Sequence, residues 1–499
     1  MKKTKKYGYG NAVNQAITEG YKKMKKTKKY GYSNAVAALM TVVSAAIPLA
    51  VNADTIEING VTWTYSVKDA SSKSLILGDG SVAAMPTDTV LNAADIPWTM
   101  TIGGETYTVV ELAANAFYLC GNLTGTLTVP QAVTKMGNAA FASTKLSGIA
   151  SLGGVTTIGQ FAFNNSGSTL SCNMPDLSRI TSFGNGVFQN CNKITGSVVL
   201  GQGLTTIPNR VFFCCSFTDI MIPNSVTSIA DDAFRGCSSL VAASLPDSVT
   251  SVGNEAFWGA KFATYAFPRS VTSIGNSVFR GCTVLTAAWI PGPATVYSET
   301  QTYTTINGNN MFMDAPKLKL VLFGSNTKPS NKSLNMNKAN GCKVFVPDNG
   351  FWNELAPGGS NTDVVYYHGF DERGKKMTFT PTTAAELINV LDSVAMFKDK
   401  FDLDVSIAVT NTIELAEGQV TAAMLSGLPV KFDSLLFSVK NQAQLNNILG
   451  AFPSSAMITI DPTGLTEKLT VPEGRRVFVQ LSEGDDIRQK LNGFIVIVK

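Results

Sequence analysis

SVTSIADDAFRGCSSLVAASLPDSVTSVGNEAFWGA, residues 225–260, says nearly the same thing twice. SVTSIADDAFRGC returns as SVTSVGNEAFWGA, with Ala260 where the first copy has Cys237. Working outward from this pair, a Phe preceded by Ala or Val recurs at Phe117, Phe141, Phe163, Phe188, Phe212, Phe234, Phe257 and Phe279. The spacings are 24, 22, 25, 24, 22, 23 and 22 residues. A degenerate copy, NMFMDAPKLKLVLFG, follows an insertion and places Phe312. A near-fixed period of this length marks a solenoid, whose units bury their apolar faces only by stacking on one another.

Each unit is punctuated in the same way. TDIMIP, VAASLP, ATYAFP and TAAWIP are short apolar runs that end at Pro223, Pro246, Pro268 and Pro291. Proline cannot donate to a strand ladder, so it closes a short strand. SVTSI is read as a second extended edge. DDAF or GNEAF is read as a short helix or 3₁₀ segment that drops the Phe into the core. Side chains alternate along a strand. Counting back from the proline, Ile222 and Ile220, Leu245 and Ala243, Phe267 and Tyr265, and Ile290 and Ala288 are expected to point inward. Met221 and Asp219, Ser244 and Ala242, Ala266 and Thr264, and Trp289 and Ala287 are expected outward, joined in earlier coils by Thr126, Thr128, Ser197 and Val199.

Three residues after the Phe stand Cys120, Thr144, Ser166, Cys191, Cys215, Cys237, Ala260, Cys282 and Ala315. A position that accepts Cys, Ser, Thr or Ala asks for a compact buried side chain, and free Cys behaves as a small hydrophobe. Phe188, Phe212, Phe234, Phe257 and Phe279, with Cys191, Cys215, Cys237 and Cys282, are thus the expected repeat core. The thiols are expected to stay reduced. No CxxC pair occurs and the single histidine is His368, so no metal site is expected.

These residues resemble the BspA-like leucine-rich repeats of bacterial surface and secreted proteins. IPNSVTSIADDAFRGCSSL (222–240) and FPRSVTSIGNSVFRGCTVL (267–285) match that unit nearly throughout, whereas GVTTIGQFAFNNSGSTL lacks the Cys. The resemblance covers about 109–325. It implies an extracellular solenoid used for binding or adhesion and names no ligand.

Outside the array, 54–108 reads as an atypical first coil or N-terminal cap, and 326–381 as a C-terminal cap and linker. The rest hides a second repeat. AAELINVLDSV (384–394) parallels AQLNNILGAF (443–452), IELAEG parallels LTVPEG, and VKFDSLLFSVK (430–440) parallels QKLNGFIVIVK (489–499). The expected fold is therefore a leucine-rich repeat solenoid of short strands with irregular, 3₁₀ or helical turns. Two tandem small α+β modules, 382–440 and 441–499, follow it. FIVIVK could be taken for a secretion signal, but its internal counterpart LLFSVK makes a structural strand the better reading.

The formal charge of +4 sits at the N-terminus. Residues 1–53 hold ten lysines and one acid, leaving the remainder at −5. Such a surface repels phosphate, so no nucleic-acid partner is expected. The order of MKKTKKYGYSNAV, an apolar run from Ala35 to Val51 and VNA before Asp54 fits a secretory signal peptide over 1–53. The mature chain would begin at Asp54 and carry no membrane span. MKKTKKYGYGNAV at Met1 duplicates MKKTKKYGYSNAV, so Met24 is a second candidate start.

Chemistry is hard to place. Catalysis needs converging polarised groups. His368 lies in a loop-like stretch, and the neighbouring acids Asp231–Asp232, Asp371–Glu372 and Asp485–Asp486 read as solvated. No enzyme activity, catalytic residue or cofactor is expected. The outward strip has better material: Trp289, Met221, Asp219 and Thr264 are the candidate ligand contacts. Trp289 either stands open as an anchor or is hidden by the insertion 292–311. Trp258, one residue past a core Phe, belongs to the turn side. The expected function is a secreted or cell-surface bacterial binding or adhesion protein that takes a protein or glycan ligand. A structural surface-layer role is the alternative, and a carbohydrate-active enzyme is the weakest.

Overall fold

In the computed structural model the described residues are 53–499, apart from 167–168, 293–303, 307–309, 325–326, 330–340, 348–361, 368, 373–374, 382, 409–412, 416–429, 432–434, 440, 452–456, 462–465, 482–490, 493–494 and 499. The expected leader up to residue 52, His368, Asp485–Asp486 and most of the 292–311 insertion lie outside them.

The repeat coils into a stack with hydrogen bonds running from coil to coil on more than one side. Strands ending near the prolines form one parallel ladder, with Ser197↔Asp219↔Ala242 and Val199↔Met221↔Ser244 in register. Farther on, Thr264–Ala266, Ala287–Ile290, Leu320–Phe323, Cys342–Pro347 and Thr362–Tyr367 form a further parallel ladder of the same kind. The SVTSI edge forms a second parallel ladder through Thr206–Ile207, Ser228–Ile229, Ser251–Val252 and Ser273–Ile274. At the N-terminal end the stack stops on antiparallel pairs, Asp54–Ile58 with Val61–Asp69 and Thr99–Ile102 with Glu105–Leu112.

The turn holding the Phe is not a regular helix, one of the two forms read from DDAF and GNEAF. Alternate N–H groups point along the stack axis, while those between them close 3₁₀-type bonds within the turn, such as Arg235 N to Asp232 O and Cys237 N to Phe234 O. Phe212 N donates to Ala233 O, Phe234 N to Ala256 O and Phe257 N to Val278 O, each one coil ahead. The backbone achieves this with two left-handed residues per turn. Two residues before the Phe, Asn115, Ala139, Phe161, Gly186, Arg210, Asp232, Glu255, Ser277 and Asn310 all have positive φ. Two after it, so do Leu119, Ser143, Asn165, Asn190, Cys214, Gly236, Gly259, Gly281 and Asp314.

Between these turns the Phe side chains form one column. All nine, from Phe117 to Phe312, are 0% exposed. Successive rings stack within 12° of parallel, with centroids 4.9 to 6.2 Å apart. Trp63 closes the N-terminal end edge-on against Phe117. The buried thiols have a partner that the sequence did not reveal. Cys191, Cys215, Cys237 and Cys282 each donate Sγ–H to the Phe carbonyl of the preceding coil, at 3.0–3.4 Å. Ser166 Oγ makes the same bond to Phe141 O. None of the eight cysteines is joined in a disulfide.

Beyond the solenoid, helix α1 (Ala384–Phe401) joins two parallel neighbours, Lys376–Phe379 and Asp404–Ala408. Thr383 caps its start by accepting from Glu386 N, and Asp402 ends it in a left-handed conformation. Helix α2 (Gln442–Ala451) is its counterpart in the second module. The modules share a sheet. Ile413–Leu415, Leu435–Ser438, Met457–Asp461, Arg476–Leu481 and Ile495–Val498 pair in parallel across the 440/441 boundary.

Candidate interaction surface

The outward strip of the proline-ended strands is open over its middle coils. Thr126, Thr128, Ser197, Ala242, Ser244, Thr264 and Ala266 are exposed. Larger side chains stand among them: Met221 is 67% exposed, Val241 56% and Val199 45%. Met221 lies beside Val199 in register. Asp219 is half-buried in the same strip and accepts hydrogen bonds from Ser197 Oγ at 2.7 Å and Thr218 Oγ1 at 2.8 Å. No basic side chain pairs with it among the described residues. The middle of the strip is thus a row of small residues with an exposed apolar pair, Met221 and Val199, and one acid, Asp219.

The strip closes at its C-terminal end. Ala287, expected outward and open, is fully buried, and Trp289 is half-buried. What covers Trp289 is Phe370, from the 326–381 segment, together with Phe401 of α1, each with its ring centroid 5.8 Å away. Outward side chains there turn large and apolar. Leu320, Leu322, Phe345 and Tyr367 meet Leu387, Leu391, Phe397 and Phe401 of α1 in a second core. Phe345 and Phe397 pack edge-to-face at 4.6 Å. The junction is also latched by polar bonds. The buried Glu372 carboxylate accepts from Gly292 N at 3.0 Å and faces Arg269 Nε at 3.5 Å, and Tyr367 Oη donates to Phe323 O at 2.7 Å. Trp289 Nε1 is buried with no hydrogen-bond partner among the described residues. Trp289 therefore packs against downstream residues of its own chain and is not an open anchor. Alternation alone did not show this, because the covering residues lie about 80 to 110 positions downstream.

The second ladder carries a shallow groove of about 440 Å³ lined by Ser228, Ser251, Ser273, Asn209, Asp231 and Asn254. Its polar groups are largely spent on the coil stack. Asp231 Oδ1 accepts from Asn254 N at 2.7 Å, and Asn254 Oδ1 accepts from Asn276 N at 2.8 Å. On the turn side, Trp258 sits between two guanidinium groups, 4.0 Å from Arg235 and 4.4 Å from Arg280. Arg235 also pairs with Asp232 and Glu255, and Arg210 with Asp232. Burial holds the Glu255 carboxyl above its ordinary range, against the pull of Arg235. This ridge is a charge ladder that neutralises itself. Among the described residues no cluster of three His, Cys, Asp or Glu side chains could hold a metal ion, and no helix is long and apolar enough to cross a membrane.

Comparison with known proteins places the repeat. The family model described as BspA type leucine rich repeat region matches residues 110–216 and 205–338, in 6 copies. No curated protein matches the sequence. Among solved structures, a leucine-rich repeat protein from Bacteroides ovatus shares 18% identity over 89% of this chain and 99% of its own, with a TM-score of 0.39. A leucine rich cell surface protein from Faecalibacterium prausnitzii shares 17% over 64% and 96%, with a TM-score of 0.32. The pneumococcal vaccine antigen PcpA shares 14% over 63% and 99%, with a TM-score of 0.29.

Proposed function

We propose that this chain, a leucine-rich repeat protein of the BspA type over residues 110–338, is a secreted or cell-surface bacterial binding protein whose solenoid is a non-catalytic contact surface for a protein or glycan ligand. The observation that carries the reading is the open strip from Ser197 to Ala266, with Met221 exposed above a floor of small residues. Small residues let a partner approach, and a few large side chains supply most of the anchoring energy at such surfaces. Met221, Asp219 and Thr264 are the contacts this reading keeps. Trp289 leaves the set because Phe370 and Phe401 pack on it. Export follows from the leader-like order of basic, apolar and small residues before Asp54. N-terminal sequencing of exported protein should begin at Asp54, and a start at Met1 or Met24 would overturn that part.

The binding test uses the full mature chain on arrays of host and bacterial surface proteins and of glycans. A ligand found there should lose at least about tenfold in affinity with Met221→Glu, which buries an unpaired charge in the contact. It should be unchanged by Ser251→Glu on the second ladder and by Trp258→Ala on the turn ridge. Loss with Ser251→Glu and none with Met221→Glu would move the contact surface to the polar groove.

A further inference from the structure

We propose that the open part of the strip binds a partner protein that presents a Lys or Arg beside an apolar side chain, and that it does not bind a glycan. This rests on the reading of the strip as the contact surface and adds the chemistry of what it takes.

The first argument is charge. Asp219 lies two residues before Met221 on one strand, so the two side chains share a face about 7 Å apart. Ser197 Oγ and Thr218 Oγ1 both donate to Asp219 Oδ2, which leaves Oδ1 without a hydrogen bond among the described residues. Leu177 bridges Leu200 in parallel, which sets the exposed Asp176 beside Val199. Asp247 is exposed three residues past Ser244, the neighbour of Met221 in register. None of these acids makes an ion pair among the described residues. The stretches that build this patch, 172–179, 195–202, 217–224 and 240–247, hold Asp176, Asp219 and Asp247 against a single base, Arg179. The Ser178 N–H, with a smaller pull from Arg179, holds Asp176 below the ordinary carboxylate range, so it is charged at neutral pH. The patch therefore favours a cation and repels an anionic partner.

The second argument is the lack of anything to hold a sugar. Small-molecule sites are concave and offer converging polar groups or a ring to pack on. Trp289 is the one aromatic among the outward residues from Ser197 to Trp289, and Phe370 and Phe401 already pack on it. Val199, Met221 and Val241 offer exposed apolar area instead. Covering that area with an apolar side chain is favourable, and the unbranched methionine adapts to the shape of what lands on it. A cation for Asp219 Oδ1 and an apolar group for Met221 and Val199, about 7 Å apart, are thus the two groups the partner supplies together.

The test pans the full mature chain against displayed, disulfide-closed peptide loops. In each loop an apolar residue stands two positions from Lys or Arg, from Ser, or from Glu. Enriched loops are then measured by fluorescence anisotropy. Basic loops should be enriched, and their affinity should fall as salt rises. Met221→Ser should weaken them at least about fivefold through lost apolar contact. Asp219→Asn should do the same through lost charge, and Asp219→Lys should turn the preference to Glu loops. Ser251→Glu should leave affinity unchanged. Asp219 and Met221 face outward, so the variants should fold, which circular dichroism checks. Enrichment of no loop, equal enrichment of Glu and basic loops, or basic loops indifferent to Asp219→Lys would overturn the inference. So would a glycan from the arrays that is lost with Met221→Glu; the strip would then remain the contact surface and only this inference would fall. If neither loops nor array ligands respond to changes at Met221, the functional reading falls with it.

Discussion

A left-handed residue is the most local feature on which this fold depends. An L side chain in that region costs roughly 1–2 kcal/mol, while glycine enters it freely. Gly236, Gly259 and Gly281 fill the position two after the core Phe, at φ of 75°, 82° and 69°. A Cβ on Gly259 would meet nothing closer than 3.9 Å, so Gly259→Ala should cost only the backbone term, about 1 kcal/mol. A Cβ on Gly236 would lie 2.7 Å from Cys214 Sγ, so Gly236→Ala should cost more. Conversely, Ser143 holds the same position at φ 59°, and Ser143→Gly should stabilise by about 0.5 kcal/mol. Urea midpoints of the three variants check the order, and equal losses for the two glycines would refute it. The thiols make a second prediction. Burial pushes Cys120 up to about 11 and Cys282 up to about 12, and raises Cys191, Cys215 and Cys237 as well. Unfolded thiols titrate near 8.5. The folded state therefore keeps its protons longer, and the associated stability is full below about pH 8.5 and lost as pH rises through the folded values. Melting temperature should fall above about pH 8.5, less steeply in Cys120→Ala/Cys282→Ala. In native protein, thiol reagents should reach the half-buried Cys172 and Cys214 before the others.

At the scale of the element, the coil is held by what repeats. Each Phe touches the ring before it and the ring after it, so removing one opens a gap inside a continuous column. Phe234→Ala should cost about 3–5 kcal/mol, the usual range for emptying a large buried site. Cys237→Ala removes one small group and one weak bond to Phe212 O, and Ala260 fills the same place one coil later. It should cost about 1 kcal/mol. Chemical denaturation of both variants tests the contrast, and comparable losses would mean that the thiol bond matters more than the ring column.

The whole molecule is joined where the strip is closed. Trp289, Phe370 and Phe401 pack there, and Glu372 reaches across to Gly292 N and Arg269. Glu372→Ala leaves the Gly292 N–H and the Arg269 guanidinium without that carboxylate; Arg269 Nε still donates to Gly292 O, so the cost should be about 2 kcal/mol. Trp289→Ala should cost about 2–4 kcal/mol, and Trp289→Phe less, since it removes an indole N–H that has no partner among the described residues. Limited proteolysis should show both alanine variants cut between the coil stack and the C-terminal region while the stack itself stays resistant. Unchanged protection would mean that the junction is held elsewhere.

The period, the core Phe and the inward residues of the strands were legible in the sequence, because stacking requires each coil to present like residues at like positions. Ile220, Tyr265 and Ile290 point inward as alternation required. The turn was read as a short helix or 3₁₀ segment; its i→i−3 bonds fit the second reading, but the left-handed residues interrupt any helix, and Asp-Asp-Ala-Phe carries no mark of one at its second Asp, although glycine at 236, 259 and 281 hinted at its partner. The bond from each thiol to the neighbouring coil was invisible because Cys and Ala fill the site equally well. Trp289 marks the limit most plainly. Alternation decided that it faces outward, but only the tertiary structure decided that outward, at that coil, means under downstream residues of the same chain. Strand alternation is set by the residue's own backbone, whereas cover depends on Phe370 and Phe401, which no local pattern connects to it.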